Sequence, residues 1–172
     1  TLVDSVAGII ASVHHAAKAL DLPTLSDAVI RQGIGLGARE QVLRLYGPDI
    51  DANQFMRVFE QHYFGRPQQS LSVMLFPGVE KMLYDLYKRG YLLAVATGKS
   101  RKGLQQSIAE LGWASLFSVT CCSEEYVSKP APEMVHHIAN TLQLSAAQMV
   151  VVGDSHVDLQ MAHAAGAHGV GV

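Results

Sequence analysis

Cysteine, an excess of charge of either sign and long apolar runs are all scarce or absent in this chain, and each absence removes a class of function. Only Cys121 and Cys122 are present. Adjacent residues on a strand face opposite ways, so the pair makes neither a disulfide framework nor a metal site, and a reducing cytoplasm is the expected location. Thirteen Lys and Arg stand against fifteen Asp and Glu, a formal net charge of −2. No basic surplus points to nucleic acid and no acidic tail is present. No apolar run reaches the roughly 18 residues of a membrane span, and the N-terminus has neither the basic nor the apolar region of a signal peptide. What remains is a chain of 172 residues, enough for one domain, or for one core with a modest insertion.

The first part of the chain is helical in pattern. Val6, Ile9, Ile10, Val13, Ala17 and Leu20 repeat at helical spacing, with Asp4 or Ser5 as the expected cap and Pro23 as the stop. From Leu25 to about Phe64 the pattern stays helical, broken at Gly33-Ile34-Gly35-Leu36-Gly37 and at Gly47-Pro48-Asp49. Gly65-Arg66-Pro67-Gln68-Gln69-Ser70 is polar and turn-rich, which makes it a linker. After Pro77-Gly78 the pattern alternates between helix and strand as in βαβ units. Helices are expected from about Val79 to Lys88, Arg101 to Leu111 and Glu133 to Leu142. Strands are expected at Tyr91–Ala96, Phe117–Cys121, Val150–Val152 and near Gly169–Val172. The implied architecture is an α/β fold, a Rossmann-like parallel sheet covered by helices, with a helical subdomain inserted early.

Three of these strand ends carry polar groups. Val150-Val151-Val152-Gly153 reads as a parallel strand buried on both faces, and it delivers Asp154, Ser155 and, one turn into the next helix, Asp158. Ligands of open α/β sheets gather at this carboxyl edge, where a carboxylate can meet a hard divalent cation, although Asp154 and Ser155 would equally serve as a helix cap. Thr97-Gly98-Lys99-Ser100 offers a hydroxyl, a flexible glycine and helix-start amides to a phosphate oxygen. The spacing Gly-x-x-x-x-Gly-Lys is absent, so Lys99 is not part of a P-loop. Ser128-Lys129-Pro130-Ala131-Pro132-Glu133 places an ammonium on a loop that two prolines keep out of the following helix. That charge could offset a phosphoryl group or neighbouring carboxylates.

A hydroxyl, a lysine and a carboxylate pair in this order resemble the second, third and fourth motifs of the haloacid dehalogenase superfamily, over nearly the whole chain. The likeness is nearest to its phosphoglycolate phosphatase-like branch, in which a helical cap follows the first motif. Residues 4–76 would be that cap here, with 1–3 and 77–172 forming the core, and Phe76-Pro77-Gly78-Val79 is how that branch re-enters its core. The resemblance implies a magnesium-dependent phosphatase acting on a small phosphorylated metabolite. Thr97 and Gly98 would hold phosphoryl oxygens, Lys129 would orient the nucleophile, and Asp154 with Asp158 would bind Mg²⁺. The family's first motif, Asp-x-Asp-Gly-Thr, supplies the nucleophile that becomes an aspartyl phosphate and the general acid/base. The sequence starts at Thr1 rather than Met, and Thr1-Leu2-Val3-Asp4-Ser5 resembles the end of that motif. The chain is therefore expected to be a fragment whose two catalytic aspartates lie upstream, without the central strand that carries them, and to be inactive alone.

Asp154 argues against a dehalogenase, which needs no metal. Lys18, the sole lysine of the cap, lacks the surroundings of a phosphonatase Schiff-base lysine. A sugar-phosphate mutase shares the core motifs and stays open, as does a non-catalytic pseudo-phosphatase that binds phosphate or a protein. For the substrate, the loop Gly33–Gly37 permits close backbone approach, and Arg39 is the candidate for a carboxylate or second phosphate. His14-His15 and His136-His137 lie on expected helices without partners at ligand spacing, whereas His156 follows Ser155 at the rim of the site. Neither nucleic acid nor membrane is an expected partner, and the oligomeric state is left open.

Overall fold

The structure, a computed structural model, describes residues 1–65 and 74–172. Helix α1 (Val6–Ala19) begins as its apolar spacing predicts, but neither expected cap operates: Ser5 makes no side-chain cap bond. The reason lies in the residues before it. Val3 bridges Leu75 in antiparallel fashion, the amide of Asp4 donates to the Met74 carbonyl at 2.8 Å and that of Phe76 to the Leu2 carbonyl at 3.1 Å. The entry to α1 is thus fixed by backbone pairing with the segment that leads into the second half of the chain.

Helix α2 (Asp27–Arg31) is capped by Ser26, whose hydroxyl accepts from the Val29 amide. Helix α3 (Ala38–Tyr46) stops at Gly47, which takes φ 90°. Helix α4 (Ala52–Gly65) completes a helical unit. Its centre is Ile10, Val13 and Ala16 of α1 against Ile30, Val42, Ala52 and Phe55. The buried Gln41 amide is satisfied by donating to the Ile30 carbonyl at 3.1 Å, so α2 and α3 are tied where the chain is dry. Of the expected linker, residues 66–70 lie outside the described residues.

The second half alternates as its pattern predicts. Helix α5 (Val79–Lys88) leads to β1 (Leu93–Thr97), α6 (Arg101–Glu110), β2 (Phe117–Cys122), α7 (Glu133–Leu142), β3 (Val150–Gly153), α8 (His156–Ala165) and β4 (His168–Gly171). Strand β1 starts two residues later than expected, because Tyr91 still belongs to the exit from α5: its amide donates to the Leu86 carbonyl, and Tyr91 and Leu92 are 60% and 57% exposed. The strands form two parallel pairs, β1 with β2 and β3 with β4. A shared apolar cluster joins them, with Val119 and Cys121 of β2, Met134, Val135 and Ile138 of α7, and Met161 and Ala165 of α8.

Strand β3 is not buried on both faces. Val150 and Val152 are 59% and 50% exposed, while Val151 packs into the shared cluster. Successive side chains alternate across a strand, and the helices of this cluster cover only the Val151 face. Both cysteines are buried and free, and burial pushes the Cys121 thiol up to about 11. Among the described residues no helix is long and apolar enough to cross a membrane.

Candidate active site at the strand ends

Thr97 is the last residue of β1, paired with Cys122. Its hydroxyl accepts from the Lys99 amide at 3.2 Å, closing a short turn. Ser123, just past β2, locks this turn twice: its amide donates to the Thr97 carbonyl at 3.0 Å and its hydroxyl to the Gly98 carbonyl at 3.0 Å. Ser100 caps α6 by accepting from the Gly103 amide. Lys99 lies beside the ring of Tyr63 on α4, its ammonium 5.3 Å from the ring centroid, and burial pushes its pKa below the ordinary lysine value.

Lys129 and Asp158 meet directly. The lysine ammonium donates to Asp158 Oδ1 at 2.7 Å, with the residues 7% and 6% exposed. The other oxygen, Oδ2, accepts from the Ser155 amide at 3.2 Å and from its hydroxyl at 2.6 Å. Asp158 thus reaches back from the first turn of α8 to the residue that starts it, as the acidic member of a capping box does. Gly153 makes room for this arrangement, since a Cβ there would lie 2.3 Å from that of Asp158. Both carboxylate oxygens of Asp158 therefore already have protein partners.

Asp154 is different in kind. Its side chain is 52% exposed. Partial burial pushes its pKa up, but the Thr1 hydroxyl and amine beside Oδ1 outweigh that and hold it below the ordinary carboxylate range, so it is an anion at neutral pH. Among the described residues no three His, Cys, Asp or Glu side chains group closely enough to hold a metal by themselves.

The glycine loop between α2 and α3 lies on all three strand ends. The Ala38 amide donates to the Gly98 carbonyl at 3.2 Å, and a Cβ on Gly98 would lie 2.3 Å from the Leu36 carbonyl oxygen. The Gly37 amide donates to the Ser128 hydroxyl at 2.6 Å, one residue before Lys129. A Cβ on Gly35 would come within 2.8 Å of the Ser155 hydroxyl. The close approach expected of this loop is present, and what it approaches is the core.

Beside the loop opens a cleft of about 580 Å³. One wall is Asp154, Ser155 and His156; the other comes from the helical unit, with Val6, Arg31, Gln32, Ile34 and Arg44. Arg39 does not line it. Its guanidinium donates to Asn53 Oδ1 at 2.5 Å, within the helical unit. Arg31 and Arg44 had no sequence signal beyond being basic residues of amphipathic helices, and Ser123 and Ser128 none beyond being loop serines. Of the other histidines, His14 meets Asp27 at 2.8 Å, His15 stacks on His62 and His137 lies against Tyr126.

A family model for haloacid dehalogenase-like hydrolases matches residues 1–172, the whole chain. The chain belongs to this family. Among proteins similar to this hydrolase, a phosphoglycolate phosphatase of Cupriavidus necator is 34% identical over 96% of the chain and 74% of its own length. A phosphoglycolate phosphatase of Vibrio cholerae is 30% identical over 100% of the chain and 80% of its own. The crystal structure of a predicted phosphoglycolate phosphatase from Haemophilus somnus superposes with a TM-score of 0.85, at 29% identity over 99% of the chain and 80% of that structure. The α/β architecture expected from the sequence is that of these neighbours.

Proposed function

We propose that this hydrolase is built for magnesium-dependent hydrolysis of a small phosphomonoester, phosphoglycolate-like in size, through an aspartyl-phosphate. The observation that carries the reading is the single glycine loop resting on Gly98, Ser128 and Ser155. Each of these is next in sequence to Thr97, Lys129 or Asp154, which supports reading those three, far apart in sequence, as parts of one site. The relatives' activity supports the same reading. We take residues 4–76 as the cap and 1–3 with 77–172 as the core, because the helical unit has an apolar centre of its own and the Val3–Leu75 pairing joins its two ends.

In this reading Thr97 holds a phosphoryl oxygen with its hydroxyl, next to the amides that open α6. Lys129 supplies positive charge close to the phosphoryl group, and Asp158 keeps its ammonium in place instead of binding metal. Asp154 fits Mg²⁺ as one carboxylate ligand, half-exposed and facing the cleft, since Mg²⁺ keeps several waters and takes only one or two carboxylates. Bound there, the cation would neutralise charge on the phosphoryl oxygens. His156 lines the cleft as a polar wall.

The family's Asp-x-Asp-Gly-Thr run does not occur among the 172 residues, the one Asp-x-Asp, Asp49 to Asp51, being followed by Ala52, so residues 1–172 are expected to bind but not to turn over. The test has two arms. Calorimetry on the chain should show phosphate binding that depends on Mg²⁺ and disappears in Asp154→Ala. A fusion that adds a strand ending in Asp-x-Asp-Gly ahead of Thr1 should hydrolyse 2-phosphoglycolate with Mg²⁺. Turnover by the unextended chain, or phosphate binding indifferent to Asp154, would overturn the assignment.

A further inference from the structure

We infer that α5 carries a self-association surface, on which a second copy of this chain docks antiparallel about a two-fold axis at Tyr84. The inference goes beyond the phosphatase reading and stands without it. Helix α5 turns one side to the core: Leu83 is buried with Trp113 and Leu116, and Val79 packs against the same cluster. Other apolar residues of the segment stay outside. Tyr84, Tyr87, Tyr91 and Leu92 are 39%, 48%, 60% and 57% exposed, and Phe76, ahead of the helix, is 40% exposed. The outer face of a surface helix is ordinarily polar, so a run of exposed tyrosines marks a surface that meets something. None of these residues lines the cleft at Asp154.

The charges on this face point to a second copy. Lys81 is already joined to Asp85, one turn on, at 2.5 Å. Glu80 and Lys88 are exposed and have no ion-pair partner among the described residues. They stand one helical turn before and one after Tyr84, so the three form a single ridge along the helix. Ridges of this kind interdigitate where two helices cross. Reversing a second helix about Tyr84 brings Glu80 level with Lys88 of the copy, and Lys88 level with its Glu80, so one symmetry operation makes two opposite-charge pairs. A parallel copy would set like charges against each other. In the antiparallel arrangement Tyr84 meets its counterpart on the axis with Tyr87 beside it, an aromatic centre with a charged rim. Area sets the strength. A tyrosine side chain covers about 150–250 Å² when fully buried, so the exposed parts of the three rings amount to roughly 300 Å² per copy. Phe76, Leu92 and the charged rim raise this to roughly 500 Å² per copy, about 1,000 Å² in total, which is the low end for a specific contact. The dimer is therefore weak and depends on concentration.

Sedimentation velocity on the 172-residue chain tests this. Between about 5 and 500 µM the chain should pass from monomer to dimer, with a midpoint of about 20–200 µM. Tyr84→Glu, Glu80→Lys and Lys88→Glu should each weaken the dimer about tenfold. The double variant Glu80→Lys with Lys88→Glu restores both opposite-charge pairs and should return to within about threefold of the parent. Urea midpoints within about 0.5 M of the parent show that these exposed changes do not act through folding. Independently, Tyr84→Cys, on the axis, should form a disulfide with its copy under mild oxidation, since both native cysteines are buried. A monomer at every concentration overturns the inference. So does association that Tyr84→Glu leaves intact, which would move the contact elsewhere, for instance to the exposed valines Val150, Val152 and Val170. A double variant no better than the single ones, or no disulfide from Tyr84→Cys, overturns the antiparallel register and with it the inference.

Discussion

Substituting the buried Lys129–Asp158 pair should show that its members matter to each other far more than the pair matters to the fold. The ammonium and carboxylate are 2.7 Å apart, and each residue is less than a tenth exposed. Removing one partner leaves the other charge dry and unpaired, a loss that runs to about 3–5 kcal/mol. Asp158→Leu should lie at the upper end, because it also removes the acceptor of the Ser155 amide and hydroxyl, worth about 1 kcal/mol more. Lys129→Met should lie at the lower end, since Asp158 keeps those two donors. The double variant puts apolar groups of similar size in both places and should lose only about 1–2 kcal/mol, the Ser155 contacts among them. Urea unfolding monitored by circular dichroism reads the cycle: with a slope of about 2 kcal/mol/M, each single change moves the midpoint down by about 1.5–2.5 M and the double by less than about 1 M. Single losses that simply add to the double within about 0.5 kcal/mol would refute the pairing argument.

Three further outcomes are expected. Gly98→Ala should weaken the contact between loop and core by about 1–3 kcal/mol in thermal unfolding, because its Cβ would sit 2.3 Å from the backbone carbonyl of Leu36 and no side chain there can yield; an unchanged transition would disprove the tight approach. The Glu125 carboxylate, whose pKa is held below its ordinary value by the hydrogen bonds from Arg101, contributes stability that is complete above the ordinary glutamate range. That contribution is lost as pH falls through the lowered value; being half-exposed it is worth about 0.5–1 kcal/mol, and Glu125→Gln should flatten the acid limb of the stability curve by that amount. Cys121 and Cys122, buried and with thiols pushed up by burial, should react with a thiol reagent only at the rate of opening, so immediate labelling of the native chain would contradict the packing of β2 against α7.

Periodicity and punctuation carried much of the architecture. The apolar spacing of α1, the stop at Gly47 and the alternation after Gly78 are local, and local residues decide them. Tyr91 and Leu92 are a strand-like apolar pair taken up by the helix exit, a choice made by one amide reaching the Leu86 carbonyl. Val150-Val151-Val152 looked buried on both faces because composition does not say which face a helix covers. At the site, the chemical types were visible at the strand ends, but the partners were not. The Lys129–Asp158 bond spans 29 residues and depends on how β3 and the loop before α7 are brought together. Arg39 follows the glycine loop in the sequence, yet its position along α3 sends its side chain to Asn53 and places Arg44, over a turn later, on the cleft.

The docking of the glycine loop explains how the helical unit is seated on the strand ends. The loop is held by main-chain groups: the Gly37 and Ala38 amides on Ser128 and Gly98, and the backbone of Gly35 against Ser155. On the loop's side such contacts do not depend on side-chain identity except to require that little or none be present. The helical unit can therefore keep its place over Thr97, Lys129 and Asp154 while side chains on α2 and α3 vary. A change at Gly98, or at Ser128, should therefore loosen the seat of the whole helical unit, because each removes a contact that the loop backbone makes with the core.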